Sequence, residues 1–133
     1  MGETIIKATI GRDHYRVSMH AGKNSIFGDE PVANGGGDEG MSPHEILASA
    51  LGACTCATLR MYADRKEMPL DGVNVVVSLS RDDEKNETNI NREIELIGAL
   101  SGEDKDKLLS IANKCPVHKT LTNPIHINTK IKT

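Results

Sequence analysis

The sequence is nearly devoid of aromatic residues: one Phe, two Tyr and no Trp among 133 residues. Ile, Leu, Val, Ala and Met must therefore carry the packing of any core. It also lacks a basic block and any interleaving of basic with aromatic side chains. With 16 Lys and Arg against 19 Asp and Glu, the formal net charge is −3, and no nucleic-acid partner is expected. No apolar run approaches the roughly 18 residues of a membrane span, so no membrane partner is expected either. The opening MGETIIKATI has no signal-peptide core. These absences point to a soluble, cytoplasmic protein. There the three cysteines are reduced by default, and a disulfide is a transient state rather than a staple.

The length predicts a single domain over residues 1–133 that buries roughly two-thirds of its unfolded surface. TIIKATI and HYRVSMH alternate around Gly11-Arg12-Asp13 and read as an antiparallel hairpin, to which NSIF adds a short strand. FGDEPVANGGGDEGM follows as a Gly-rich acidic loop, expected to be the least structured piece of the chain. Its GGG is no phosphate cradle, since no Lys-Ser/Thr follows and Asp38 and Glu39 repel phosphate.

Ser42-Pro43-His44-Glu45 opens a helix: Ser42 is the N-cap, Pro43 fits the first turn, and Glu45 completes a capping box. That helix is expected from Pro43 to about Glu67, stopping before Met68-Pro69. No charge falls between Ile46 and Leu59. A helix apolar nearly all round must be covered on most sides, which hints at a partner subunit. VNVVVSLS and NETNINREIELIGAL read as a second hairpin, and Ser101 to Asp104 cap a second helix running to about Lys114. Cys115-Pro116 starts a short further turn or helix, and the alternation in PIHINTKI predicts a final strand. The order is α+β with a largely antiparallel sheet and a central apolar helix.

The chemistry rests on cysteine. Cys54 and Cys56 stand two apart in ALGACTCATLRM, so on a helix they point about 200° away from each other. They cannot share a metal or join easily while the helix holds, and each finds a partner elsewhere or has none. Both have a plain reading as small buried hydrophobes. Cys115, before Pro116 and between Lys114 and Lys119, sits where a helix N-terminus and nearby cations lower a thiol's pKa. It can equally be a cysteine buried at a helix junction. A zinc site is a third alternative, with Cys115 and His118 at C-x-x-H spacing and Cys54 or Cys56 as a further ligand. Against it, structural zinc draws tight ligand pairs from turns, whereas these upstream cysteines lie in mid-helix. His14, His20 and His126 are expected on strands facing solvent, and His44 either caps its helix or lines a pocket.

SPHEILASALGAC, the strand pair after it and CPVHKTL ahead of a terminal strand together resemble the OsmC family, which includes organic hydroperoxide resistance proteins. The likeness covers most of the chain, and GGGDEG looks like the general OsmC-like branch. The resemblance implies an OsmC-like fold made as an intertwined homodimer, its central helices packed together and its sites at the subunit interface. It implies that Cys54 attacks a hydroperoxide as thiolate and becomes a sulfenic acid. Cys115 then condenses with it to a disulfide, which a cellular dithiol reduces. Organic hydroperoxides are the implied substrates, and no metal or organic cofactor is implied. The peroxidase members carry Glu directly after the helix-opening proline, paired with an N-terminal Arg. Here His44 holds that place with Glu45 one later, while Arg12 and Arg16 both stand available as the cation. A second reading is therefore a non-catalytic OsmC-like dimer that binds a small apolar ligand at its interface.

Overall fold

Short alternating runs near the start of the chain form three antiparallel strands. In the computed structural model, which describes residues 2–132, these are β1 (Lys7–Thr9), β2 (Val17–Ala21) and β3 (Asn24–Gly28). Ala8 faces Met19 and Met19 faces Ile26 across the sheet. Ala21 pairs with Asn24, so β2 and β3 are joined by a two-residue turn, and Gly22 supplies its left-handed φ of 60°. The described residues divide into two compact units between Ala48 and Ser49, and this sheet belongs to the first.

The Gly-rich loop after β3 is ordered, contrary to the expectation from its composition. A 3₁₀ turn at Val32–Asn34 is part of the reason, and Asp29 is the larger part. Asp29 is only 2% exposed. Its carboxylate accepts hydrogen bonds from the backbone N–H of Glu30 at 2.7 Å, Glu39 at 3.1 Å and Tyr15 at 3.4 Å. Backbone donors that would be orphaned in a loop are satisfied by one side chain. The N–H groups of Glu39 and Glu30 hold the Asp29 carboxyl below its ordinary value of 3.8. A depressed pKa means stabilisation that is complete above the unfolded value and lost as pH falls through the folded one. Asp29→Asn is therefore expected to lower the melting temperature at pH 7, with the gap to wild type narrowing at a pH below the ordinary value of 3.8. Melts at the two pH values check this; a gap independent of pH contradicts the assignment.

In the second unit, β4 (Gly72–Asp82) and β5 (Glu87–Ile97) pair over their full length, from Gly72–Ile97 to Asp82–Glu87. Asn86 takes the left-handed conformation in the connection. Val73, Val75, Val77 and Leu79 are half-buried, as are Ile90, Ile94 and Leu96, while intervening residues such as Asn74, Glu93 and Glu95 are exposed. The long helix α1 (Pro43–Arg65) starts and stops as its sequence predicts. Ser42 N–H donates to Glu45 Oε1 at 2.8 Å and Glu45 N–H to Ser42 Oγ at 3.3 Å, closing the capping box. At the other end Glu67 turns left-handed and Met68 N–H returns to the Ala63 carbonyl at 2.9 Å, a Schellman closure just ahead of Pro69. Leu59, Tyr62 and Ala63 of α1 meet Leu70 and, from α2 (Gly102–Ala112), Leu108 and Ala112 in the core. Ser101 caps α2 by accepting from Asp104 N–H at 3.0 Å, and α3 (Pro116–Thr122) follows Cys115.

Two expectations change. α2 ends at Ala112 rather than near Lys114, because the chain must turn to place Cys115 ahead of α3. PIHINTKI is not a strand among the described residues. Its alternation is real, but no strand among the described residues pairs with it, and Ile127 and Ile131 stand 84% and 88% exposed. α1 is also more apolar over its length than the sequence led one to expect. By length and composition alone it could cross a membrane, a test that the core helix of a soluble protein also passes. Its buried residues, Leu51, Thr55, Leu59, Tyr62 and Ala63, follow one stripe against the second unit's core.

Candidate active site: two thiols and an arginine

Cys115 is the best-defined of the three cysteines, all of which are free thiols. It is the N-cap of α3, with extended φ −64° and ψ 145°. Pro116, having no N–H, fits the first helical position behind it. In this geometry Cys115 Sγ accepts from His118 N–H at 3.4 Å. The residue is 0% exposed. Across from it, α1 brings up Cys54, near enough for its thiol to help pull down the pKa of Cys115 and 3.9 Å from Thr58 Oγ1. Cys54 is half-buried. Cys56, also half-buried, is turned aside by the helix, as spacing requires. The structure thus brings together the two predicted site residues, Cys54 and Cys115, and leaves Cys56 out.

A residue that the sequence reading passed over completes the group. Arg92, on β5, donates through Nη1 to Thr55 Oγ1 at 3.0 Å and reaches Cys115 Sγ at 3.8 Å. Its Nη2 donates to Asn113 Oδ1 at 2.9 Å and meets His118 Nδ1 at 3.0 Å. The second contact requires Nδ1 to be the unprotonated ring nitrogen. Thr55 in turn donates to the Leu51 carbonyl at 2.7 Å, which fixes its oxygen as Arg92's acceptor. No carboxylate among the described residues forms an ion pair with Arg92. Burial pushes the Cys115 thiol up; the His118 N–H, the Cys54 and Thr55 hydrogen bonds and the Arg92 charge pull it down, and the net value lies below that of an ordinary thiol. The signal for Arg92 was in the strand pattern: in INREIEL it occupies the half-buried phase of Ile90 and Ile94, where a charge needs a reason.

The other candidates are occupied elsewhere or exposed. Arg16 pairs with Glu39 at 3.1 Å and lies over the Phe27 ring at 4.9 Å. Glu45 has its carboxyl committed to Ser42, whose N–H holds it below the usual carboxylate range. His44 is exposed in the first turn of α1 and His20 is exposed on β2, while His14, in the connection after β1, and His126 are exposed but not on strands. No group of three His, Cys, Asp or Glu among the described residues is placed to hold a metal. A cleft of about 440 Å³ lies against Arg92 and His118, walled by Leu51, Ile90, Ile94 and Leu121. The arrangement can hold one thiolate beside a cation, with a second thiol near it.

Comparison with known proteins follows the same outline. The family model described as OsmC-like protein matches residues 35–130. A proposed osmotic stress induced and detoxification response protein of Psychrobacter arcticus is 26% identical, with 95% of this chain and 90% of that one covered and a TM-score of 0.77. An OsmC-like protein of Mycoplasma pneumoniae is 23% identical over 90% of this chain and 87% of its own, with a TM-score of 0.78. An organic hydroperoxide resistance protein of Legionella pneumophila is 22% identical, covering 92% and 90%, with a TM-score of 0.67. At their lower identities the last two speak for the fold alone. No curated protein matches the sequence.

Proposed function

Since the chain belongs to the OsmC-like protein family, we propose that it is a thiol-dependent reductase of organic hydroperoxides, with Cys54 as attacking and Cys115 as resolving thiol. The observation that carries this reading is that Cys54 and Cys115 come near each other beside Arg92. Cys115, whose thiol is held below its ordinary value, is fully buried, whereas Cys54 is the more accessible of the pair. On this reading Cys54 keeps its proton until it attacks, and Cys115, beside Arg92, is the group that takes it.

As Cys54 sulfur attacks the terminal oxygen of the hydroperoxide, its proton passes to Cys115 and on to the departing alkoxide. The products are an alcohol and a Cys54 sulfenic acid, with Cys115 again a thiolate. Cys115 sulfur then attacks Cys54 sulfur, the S–O bond breaks, hydroxide leaves, and a disulfide forms. A cellular dithiol returns both thiols to the reduced state and is itself oxidised to a disulfide. That cycle needs a reducing compartment, in keeping with a cytoplasmic location.

The protein works, on this reading, as a homodimer. Leu47 and Met61 of α1 are 41% and 59% exposed, and Ile125, Ile127 and Ile131 are exposed on a segment that no strand among the described residues pairs with. A second copy would cover both. Reaction with an organic hydroperoxide in stopped flow is expected to consume two of the three thiols per chain, and sedimentation is expected to give twice the chain mass. A protein that keeps all its thiols, yet melts higher with a lipophilic ligand, would instead favour the rival reading of a non-catalytic ligand-binding dimer.

A further inference from the structure

Arg92 brings a full positive charge to a half-buried position and surrounds it with neutral acceptors. Thr55 Oγ1, Asn113 Oδ1 and His118 Nδ1 take three of its contacts at 3.0, 2.9 and 3.0 Å. The fourth is Cys115 Sγ at 3.8 Å, the one neighbour able to carry the opposite charge. A half-buried cation without a carboxylate beside it is stabilised by a nearby anion, and the site offers that one. Cys54, by contrast, faces Thr58 and Cys115. The two sulfurs that would share a disulfide are therefore unequal: one sits against a cation and a backbone N–H, the other is nearer to solvent.

Thiol–disulfide exchange amplifies such inequality, because the sulfur better able to leave as thiolate does so, and the more accessible one is attacked. We propose that Arg92 is the counter-cation of Cys115 in the redox cycle, and that by holding Cys115 as the departing thiolate it directs the incoming dithiol to the sulfur of Cys54. The inference rests on the Cys54–Cys115 disulfide of the function proposed above. In the step, a reductant thiolate bonds to Cys54 Sγ and the Cys54–Cys115 bond breaks. Its electron pair goes to Cys115 Sγ, beside Arg92. The second thiol of the reductant, deprotonated, then attacks the reductant's first sulfur and expels Cys54 as thiolate. A proton returned to Cys54 restores the resting pair. The groups facing Cys115 are Arg92 from β5, Cys54 and Thr55 from α1, and the His118 N–H from α3.

Two measurements test this without hydroperoxide. In a Cys54→Ser/Cys56→Ser background, ultraviolet titration follows the Cys115 thiolate alone. Adding Arg92→Gln is expected to raise the midpoint by about one pH unit, an approximately tenfold loss of thiolate below it. Arg92→Lys, which keeps the charge, is expected to restore most of that loss, whereas a purely structural role for Arg92 would move neither. In the unmutated protein the disulfide is made with diamide and opened with a limiting monothiol, and the mixed disulfide is mapped by mass spectrometry. The adduct is expected on Cys54. An adduct on Cys115, a diamide product that joins other cysteines, or a midpoint unmoved by Arg92→Gln overturns the inference. Failure to reduce hydroperoxide while these results hold overturns only the peroxidase reading. The mapping requires no variant, so a misfolded Arg92→Gln protein does not shelter the proposal.

Discussion

Replacing Cys54 by serine is expected to lower hydroperoxide consumption by at least about a thousandfold, the scale seen when a nucleophile is removed. Serine keeps the shape of the side chain, and Cys54 lies outside the buried set that carries the core, so the loss should come without unfolding. Cys56→Ser is the decisive companion. It sits in the same helix, two residues on and equally half-buried, but it faces away from Cys115 and should leave the rate nearly unchanged. If Cys56→Ser were the inactive variant and Cys54→Ser the active one, the site as described would be the wrong one.

Cys115→Ser separates the two tasks assigned to that residue. As resolving thiol it is needed only after the first turnover, so the variant should stop with one sulfenic acid per chain, trapped at Cys54 by a carbon acid such as dimedone. As the group that takes the Cys54 proton it is needed earlier. The first-turnover rate should then also fall, by about a hundredfold if Cys115 serves as the base. A normal burst followed by arrest would keep the disulfide chemistry and remove the proton-transfer role.

Local signals in the sequence located most of this machinery. Ser42-Pro43 and Glu45 set the start of α1, Met68-Pro69 set its end, and Cys-Pro placed Cys115 at an N-cap; each depends on neighbours within a few residues. Three features depend on partners brought together by folding. Asp29 organises the Gly-rich loop through N–H groups from Tyr15 to Glu39, too spread out for any short motif. Arg92 reads as one more polar residue of a hairpin until its phase in β5 is compared with Ile90 and Ile94. PIHINTKI has the alternation of a strand, but alternation specifies only which side chains share a face, and pairing needs a neighbour.

Leu108→Ala should cost about 3–5 kcal/mol of stability, the upper part of the range for a leucine whose site cannot collapse. Leu108 is fully buried and, with Leu59, among the largest such side chains. Around it stand Ala63, Ala112, Leu70 and Tyr62, with no second aromatic ring to swing into the space. Against a total of about 5–15 kcal/mol, that is a large share. Leu109→Ala provides the contrast: the same chemistry one residue along α2, but 57% exposed and expected to change stability by no more than about 0.5 kcal/mol. Urea unfolding followed by circular dichroism measures both. The core and the site are also linked through this helix, since α2 ends at Ala112 and the turn after it carries Asn113 and Cys115. Loosening Leu108 should therefore slow diamide-driven joining of Cys54 to Cys115 at temperatures where the protein is still folded. Equal losses for Leu108→Ala and Leu109→Ala would mean that the outer face of α2 is covered as well, and that the core lies on both sides of the helix.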